Sequence, residues 1–503
     1  MDAMDQSTPQ TRALNPPTPL TQAEIRSIII GLMVALLLAA LDQTIIATAL
    51  PTIGRELGDL EHLPWVVTSY LLTATVATPL YGKFSDAHGR RITLLIGISV
   101  FIIGSIACAL APSMLFLILA RGLQGLGGGG LMALSQTIVA DLVSPRERGR
   151  YQVYFASVFM TSSLAGPVLG GFFAEHLHWS MIFWINLPLG LLAFLISYRG
   201  LKRLPRHDRP HKLDWLGAFF LVVATVSILL ALSWGGLRYA WVSLPIAAMA
   251  VVSVIFWGLF GWRMKTATEP LIPAGVLQNP VVRMGVLAAC FGMGTYIGLT
   301  IYLPVYFETV RGLSASHSGL ALIPLMVGTV MGANISGQLM AKITHYKRVP
   351  IVGLSAAVVG VGVLVFFERQ LSLTGVELVL GLLSIGLGTL LPVSTVSIQN
   401  AVRSHELGTA TGVANFFRSI GGAFVVAIFG AIILGMSGIG GISSLEALGS
   451  AVGRNSADLA QVFHYLFVAA LVGFSLSLFF LIRMKELPLK GSAVRAAEAA
   501  IAD

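Results

Sequence analysis

Charge is the scarcest property of this sequence. Of its 503 residues, 32 are Lys or Arg and 23 are Asp or Glu, so charged residues make up only 11%, against about 25% in an ordinary soluble domain. Hydrophobic residues make up 55%, and the mean hydropathy is +0.83. A water-soluble fold has too few charges here to cover its surface, and a disordered chain would be poor in apolar residues. The composition excludes both classes and indicates a polytopic membrane protein.

Cysteine and recognisable metal or nucleotide motifs are scarce as well. The two cysteines, Cys108 and Cys290, lie within apolar runs, which excludes a disulfide framework. No group of His and Cys residues has the spacing of metal ligands. No phosphate-binding loop of the Walker A type occurs, which disfavours an ATP-driven pump. We therefore expect a protein without a metal, a cofactor or an enzymatic activity.

Long apolar runs dominate what remains. A helix needs about 20 apolar residues to cross a bilayer, and fourteen runs meet this requirement. They begin near Ser27, Pro64, Ile92, Ser113, Tyr151, Met181, Leu213, Trp241, Arg283, Gly319, Val349, Val376, Thr409 and Val462. The first run is too long for the apolar part of a signal peptide, so we expect an uncleaved helix. The fourteen spans leave no room for a soluble domain.

Basic residues divide unequally between the two sides that this count defines. Twenty-five of the 32 lysines and arginines fall on one side and five on the other, while Arg121 and Arg418 lie within spans. Because cytoplasmic loops are enriched in basic residues, both termini are predicted to be cytoplasmic. Topology then explains the net charge of +9, and nucleic acid is not expected as a partner. The predicted outward loops lack N-glycosylation motifs, which favours a bacterial inner membrane.

The two halves of the chain repeat each other. One offset aligns the fourth and fifth spans with the twelfth and thirteenth and places Gly149 on Gly408, and a slightly shorter offset places Gly82 on Gly337. Six spans fit each copy, so the remaining two form an insert between the copies. Two parallel six-helix halves with a site between them are typical of a secondary transporter. The predicted domains are a tail (1–26), a first half (27–200), a linker with two extra helices (201–265), a second half (266–485) and a tail (486–503).

A short charged turn between the second and third spans is a candidate cytoplasmic gate. Asp86 can accept hydrogen bonds from a neighbouring helix N-terminus, and Arg90 can reach Asp141 at the end of the fourth span. Glycines permit the sharp reversal of the chain and a close approach of helices. The predicted gate residues are Gly82, Asp86, Gly89, Arg90 and Asp141.

Ionisable residues inside the spans are candidates for ion coupling. Asp42 lies about 15 residues into the first helix, roughly 22 Å from its predicted cytoplasmic end. Arg121 lies at a similar depth in the fourth span, so the two side chains can pair. Ionisable residues at such depth are costly and usually functional. Arg418 is a third intramembrane charge, for which coupling and a structural lock are equal alternatives.

Several of these segments resemble motifs of the major facilitator superfamily. Residues 82–91 are similar to its loop signature, and residues 121–127 to its fourth-span motif. The fifth-span motif of its exporters resembles Gly166, Pro167, Gly170 and Gly171, and the fourteen-span drug:proton antiporter branch has motifs similar to residues 41–51 and 179–188. The second half departs from the pattern, since Ala341 stands where Asp86 would fall.

This resemblance implies an all-α fold of two six-helix repeats with two inserted central helices. It also implies a hinge in the fifth span and proton-driven export of lipophilic, cationic or neutral drugs, with Asp42, Arg121 and Arg418 in proton coupling. One deep acid beside two cations favours monovalent or neutral substrates over dications. The candidate cavity residues are Tyr70, Gln124, Phe155, Tyr296, Tyr302 and Phe416.

The partners expected on this basis are a lipophilic small molecule, protons and the lipid bilayer. A periplasmic adaptor protein is a further candidate, and the monomer is the expected functional unit. Two alternatives stay open. One is proton-coupled export of a specific metabolite, such as a siderophore, a basic amino acid or a lipid. The other is a receptor that transports nothing, which the lack of a large soluble domain disfavours.

Overall fold

The computed structural model describes residues 21–59, 62–203, 214–236, 238–436 and 456–490. In these ranges, fourteen helical segments are long and apolar enough to cross a membrane, which confirms the predicted number. The first seven are α1 (Gln22–Leu57), α2 (Leu63–His88), α3 (Arg90–Ala109), α4 (Met114–Leu142), α5 (Pro145–His176), α6 (Met181–Gly200) and α7 (Trp215–Trp234). The others are α8 (Leu244–Thr266), α9 (Pro280–Thr309), α10 (His317–Lys342), α11 (Arg348–Phe367), α12 (Leu373–Asn400), α13 (Ser404–Ile433) and α14 (Ala460–Arg483). The predicted tails 1–26 and 486–503 lie mostly outside the described residues.

Local sequence signals fix where several helices begin and end. Thr21 caps α1 and forms a capping box with Glu24. Ser144 and Glu147 form the same arrangement at the start of α5. Gly89 separates α2 from α3 with a φ of 89°, a conformation that favours glycine. The turn between α2 and α3 is therefore a single residue, which holds the ends of both helices close together.

The two halves pack their helices in the same pattern. In the first half α4 packs against α2 and α3, and α1 packs against α5 and α6. In the second half α12 packs against α10 and α11, and α9 packs against α13 and α14, which are the equivalent pairs. Each half buries its own apolar residues in separate clusters. The part of the chain that the structure describes contains no β-strand, so the fold is the predicted pair of six-helix repeats with two inserted helices.

The inserted helices α7 and α8 form a hairpin beside the junction of the halves. Arg263 donates from Nε to the Asp214 carboxylate at 2.9 Å, and Ser253 donates to the Ala224 carbonyl at 2.9 Å, so the two helices are joined. The hairpin packs against α2 of the first half and α13 of the second. The hairpin therefore covers the crevice between the halves where α2 and α13 meet.

The halves come closest at one end of the bundle. This end carries the start of α1, the turn between α2 and α3, and most of the basic loops, and we name it the basic end. A Cβ atom on Gly82 would overlap the Gly408 carbonyl, and a Cβ on Gly337 would overlap the Gly149 carbonyl. Because the repeat places Gly82 on Gly337 and Gly149 on Gly408, these two backbone contacts are symmetry equivalents. They close the space between the halves at the basic end.

Candidate functional site

The side chain of Asp42 lies in the middle of α1 and is almost fully buried, with 1% of its surface exposed. The Asp42 carboxylate accepts from Arg121 Nη1 at 2.5 Å, from Gln124 Nε2 at 2.8 Å and from Asn186 Nδ2 at 2.9 Å. Arg121 and Gln124 are one turn apart on α4, so both project from the same face of that helix. The structure thus brings Asp42 and Arg121 together and ties α1 to α4 and α6.

Arg121 has further partners that hold its guanidinium in place. Its Nε donates to the Val66 carbonyl at 3.1 Å, its Nη1 donates to Gln124 Oε1 at 2.6 Å, and its guanidinium carbon lies 4.3 Å from the centre of the Tyr70 ring. Gln124 also donates to Ser105 Oγ on α3 at 2.7 Å. Tyr70 and Gln124 therefore belong to this ion-pair network.

Asn186 is a member of the network that reasoning from the sequence missed. It is fully buried near the start of α6, directly after Ile185, where the helix is interrupted, and its side-chain amide donates one hydrogen bond to Asp42. An amide inside an apolar span was the available signal, and Asn186 lies in the segment 179–188 that resembles a family motif.

A cavity of about 790 Å³ lies between the halves. Its lining is mainly aliphatic and aromatic, with neutral amides and hydroxyls interspersed. The next two residues along α1, Gln43 and Thr44, line the cavity, whereas Asp42 itself does not. The ion-pair network is therefore one residue along α1 from the cavity wall.

Three of the six predicted cavity residues are in the lining: Phe155, Tyr296 and Tyr302. The assignment of Tyr70, Gln124 and Phe416 is corrected, since none of them lines the cavity. The Tyr70 ring lies against the Arg121 guanidinium, and Gln124 donates to Asp42 and Ser105. Phe416 is buried against Trp257 of the inserted hairpin, with ring centres 6.2 Å apart.

Arg418 lies on the cavity wall, apart from the partners of Asp42. Only 8% of its surface is exposed, and its Nε has no hydrogen-bond partner among the described residues. Arg418 is therefore a separate charge at the cavity wall, and the two predicted roles, proton coupling and a structural lock, both stay predictions.

The predicted gate residues meet at the basic end. Arg90 donates from Nε to Asp141 at 2.8 Å and from Nη1 to Asp86 at 2.5 Å. Asp86 in turn accepts from the backbone N–H of Gly408 at 3.0 Å and from the backbone N–H and hydroxyl of Thr409, both at 2.7 Å. The Asp86 carboxylate therefore caps the start of α13 and links the first half to the second.

The equivalent place in the second half is built differently. The backbone segment 484–490 crosses beneath α11 and α12, where Asn400 donates to the Pro488 carbonyl at 3.0 Å and accepts from the Lys490 N–H at 3.1 Å. Glu486 accepts from the Lys347 N–H at 2.9 Å. Asn400 is the repeat equivalent of Asp141, so a chain segment after α14 takes the place of the missing acidic and basic pair.

A second layer of contacts between the halves consists of amides, and reasoning from the sequence missed it. Asn415 of α13 donates to Gln136 Oε1 of α4 at 3.0 Å, and Gln399 of α12 donates to the Gln136 carbonyl at 3.4 Å. The fully buried Arg148 donates to Gln399 Oε1 at 3.4 Å. Gln136 also lines the cavity, so this amide layer separates the cavity from the basic end.

The predicted hinge lies where α5 crosses α1. A Cβ atom on Gly166 would overlap Thr44, and one on Gly170 would overlap the Ile45 carbonyl. Pro167 lies between them inside α5 and removes one backbone donor. Gly171 faces open space and contributes nothing to this contact.

Known proteins resemble this chain in sequence and in fold. The profile of the Major Facilitator Superfamily matches residues 32–426. Over 417 residues the chain is 34% identical to the multidrug transporter protein MdtP of Bacillus subtilis, an alignment that covers 83% of this chain and 77% of that protein. It is 31% identical over 442 residues to the multidrug resistance protein fnx1 of Schizosaccharomyces pombe, covering 85% and 83% of the two chains.

Solved structures agree at the level of the fold. The crystal structure of the human organic anion transporter MFSD10 superimposes with a TM-score of 0.63 and 17% identity, over 92% of this chain and 100% of that one. The packing pattern of the repeats and the sequence matches lead to the same assignment. The chain belongs to the Major Facilitator Superfamily, whose members are transporters and not enzymes.

Proposed function

We propose that this protein exports lipophilic compounds of several chemical types from the cell and is driven by protons that move inward. The names of the relatives, which describe multidrug transport and resistance, support export of drugs. The size and apolar lining of the cavity support a lipophilic substrate, since drug-sized ligands occupy pockets of about 300–1,000 Å³. The observation that carries proton coupling is the buried Asp42 carboxylate, one residue from the cavity wall.

The mechanism follows from what holds Asp42. A proton on this carboxylate removes its charge and weakens the bond to Arg121, which joins α1 to α4. Thr44, two residues further along α1, lines the cavity and donates to the Ser162 carbonyl of α5 at 2.8 Å. Protonation at Asp42 is thereby transmitted along α1 to the cavity wall and to the α1–α5 crossing at Gly166.

Alternating access would use the basic end as the inner gate. The Asp86 bonds to α13, the two glycine contacts and the amide layer all lie on this side of the cavity. Opening would break these contacts and expose the cavity to the cytoplasm, where the positive-inside rule places this end. In this proposal the protein is an inner-membrane protein with both termini in the cytoplasm.

Accumulation of fluorescent lipophilic dyes in cells that express the protein tests the proposal. We expect expression to lower the accumulation of several dyes and a proton uncoupler to restore it. Asp42→Asn should restore accumulation at the same level of membrane insertion. Dye efflux that continues unchanged in the presence of the uncoupler would overturn proton coupling.

A further inference from the structure

We infer that Arg418 binds the acidic group of the substrate, so that the cavity prefers lipophilic monoanions, such as aryl carboxylates, to lipophilic cations. The inference rests on the proposed export through this cavity and specifies its substrate class. It differs from the expectation of a cationic or neutral substrate, which came from the family resemblance.

The first observation is that Arg418 lacks a partner within the described ranges of the chain. Three arginines are buried in the part of the chain that the structure describes. Arg121 is paired with Asp42, and Arg148 donates to the Val143 and Ala140 carbonyls at 3.2 and 2.6 Å. Arg418 has neither a hydrogen bond nor an ion pair with any described residue, and its buried Nε is unsatisfied.

An unpaired guanidinium in a low-dielectric site is energetically costly, so its retention there indicates a partner that the protein itself does not supply. The side chain lines the cavity, and a bound ligand can therefore reach it. Its planar fork of N–H donors matches a carboxylate, which can accept two parallel hydrogen bonds.

The second observation is the charge of the cavity. Arg418 is the only charged residue among the described residues of the lining, and the polar positions beside it are neutral, such as Gln136, Gln152 and Ser419. The buried acid Asp42, which lies behind the wall next to Gln43, is already matched by an arginine and two amides. A cation in this cavity would thus meet one positive charge and no available negative charge.

The buried acid Glu368 does not change the charge of the cavity. Glu368 lies at the end of α11, where its carboxylate accepts from Tyr306 at 2.7 Å and its carbonyl accepts from Arg311 at 2.6 Å. None of these three residues lines the cavity. The apolar walls would take the body of the ligand, while Arg418 would take its charge.

Binding of three pyrene probes to the purified full chain in detergent tests the inference. Pyrenebutyrate, its methyl ester and pyrenebutylamine share one aromatic body and differ in charge. We expect the wild-type protein to bind the acid at least about tenfold more tightly than the amine, the size of one charge-assisted hydrogen bond. Arg418→Gln should abolish this preference and leave the affinity for the ester unchanged.

Two variants make the result specific to this position. Arg418→Lys keeps the charge without the fork and is expected to retain a smaller preference for the acid. Arg369→Gln removes an exposed arginine remote from the lining and should behave as wild type. Binding of the ester shows that each variant is folded.

The inference is overturned if the wild-type protein binds the acid and the amine equally. It is also overturned if Arg418→Gln keeps the preference for the acid. Because binding in detergent needs no proton gradient, a preference for the acid together with a failure of uphill transport in vesicles would overturn the proposed function and leave the inference intact.

Discussion

Three acidic side chains are buried in the described part of the chain, and each accepts a hydrogen bond. Asp214 and Glu368 lie at helix ends, where water and backbone donors are near. Asp42 lies in the middle of a span, where removing a carboxylate from water costs several kcal/mol. A charged carboxylate at this depth therefore requires its arginine and its two amide donors.

Removal of Arg121 should reveal this cost. We expect Arg121→Gln to lower the free energy of unfolding by about 3 to 5 kcal/mol, because a buried carboxylate would lose its cation. The double variant Asp42→Asn with Arg121→Gln removes both charges and should be more stable than Arg121→Gln alone. Thermal unfolding of the purified variants in detergent measures the difference. Equal stability of the single and double variants would argue against a desolvated ion pair.

Single residues also show how far the sequence could predict the site. Asp42, Arg121 and Arg418 stand out because a charge in an apolar run is rare. Asn186 and the amide layer were missed because a neutral amide costs less to bury than a charge and so gives a weaker signal in the sequence. That Arg418 is unpaired depends on which side chains surround it, which the order of residues does not reveal.

Among the structural elements, the turn between α2 and α3 and the start of α13 form one unit. Asp86 accepts three hydrogen bonds from Gly408 and Thr409, and Arg90 orients its carboxylate. The arrangement is specific to the closed basic end, because these bonds join the two halves.

Weakening this unit should slow the transport cycle. We expect Asp86→Asn to reduce turnover about tenfold, since a neutral amide accepts weaker hydrogen bonds than a carboxylate. Substrate binding should be nearly unchanged, because the turn is remote from the cavity lining. Lys83→Gln, three residues before Asp86 near the end of α2, is the matched control. A variant that lost binding and kept its maximal rate would contradict the assignment of Asp86 to the gate.

The glycine contacts allow a test of the repeat. We expect Gly408→Ala and Gly337→Ala to impair transport to a similar extent, because each added methyl group overlaps a backbone carbonyl of the other half. Gly362→Ala, at a glycine of α11 with open space around it, should transport normally. Transport of a substrate into inverted vesicles measures all three. Normal transport by both interface variants would mean that the closed contact is not part of the cycle.

Helix faces limited what the sequence could predict at this scale. Most of these helices are apolar on all sides, so periodicity does not separate the face toward the cavity from the faces toward the core or the lipid. For this reason the sequence could not show that Phe155, Tyr296 and Tyr302 line the cavity while Tyr70 and Phe416 do not. The segment 484–490 was missed because nothing in its composition indicates that it binds α11 and α12.

In the whole molecule, the fold was the most predictable feature. Bilayer thickness fixes the length of each span, and the glycine pattern revealed the repeat, so the number of helices and their pairing into halves followed. The closure at the basic end and the placement of the inserted hairpin over the α2–α13 junction depend on contacts between distant segments. They became visible only in three dimensions.

The central claim is that the carboxylate of Asp42 carries the proton that drives export. The most direct test is proton movement across liposomes that contain the purified protein and a pH-sensitive dye, measured when substrate is added. We predict substrate-induced proton flux in the wild-type protein and in Glu308→Gln, an exposed carboxylate at the opposite end of the bundle. Asp42→Asn should bind the neutral ester probe and produce no flux. Substrate-induced proton flux of normal size in Asp42→Asn would contradict the account.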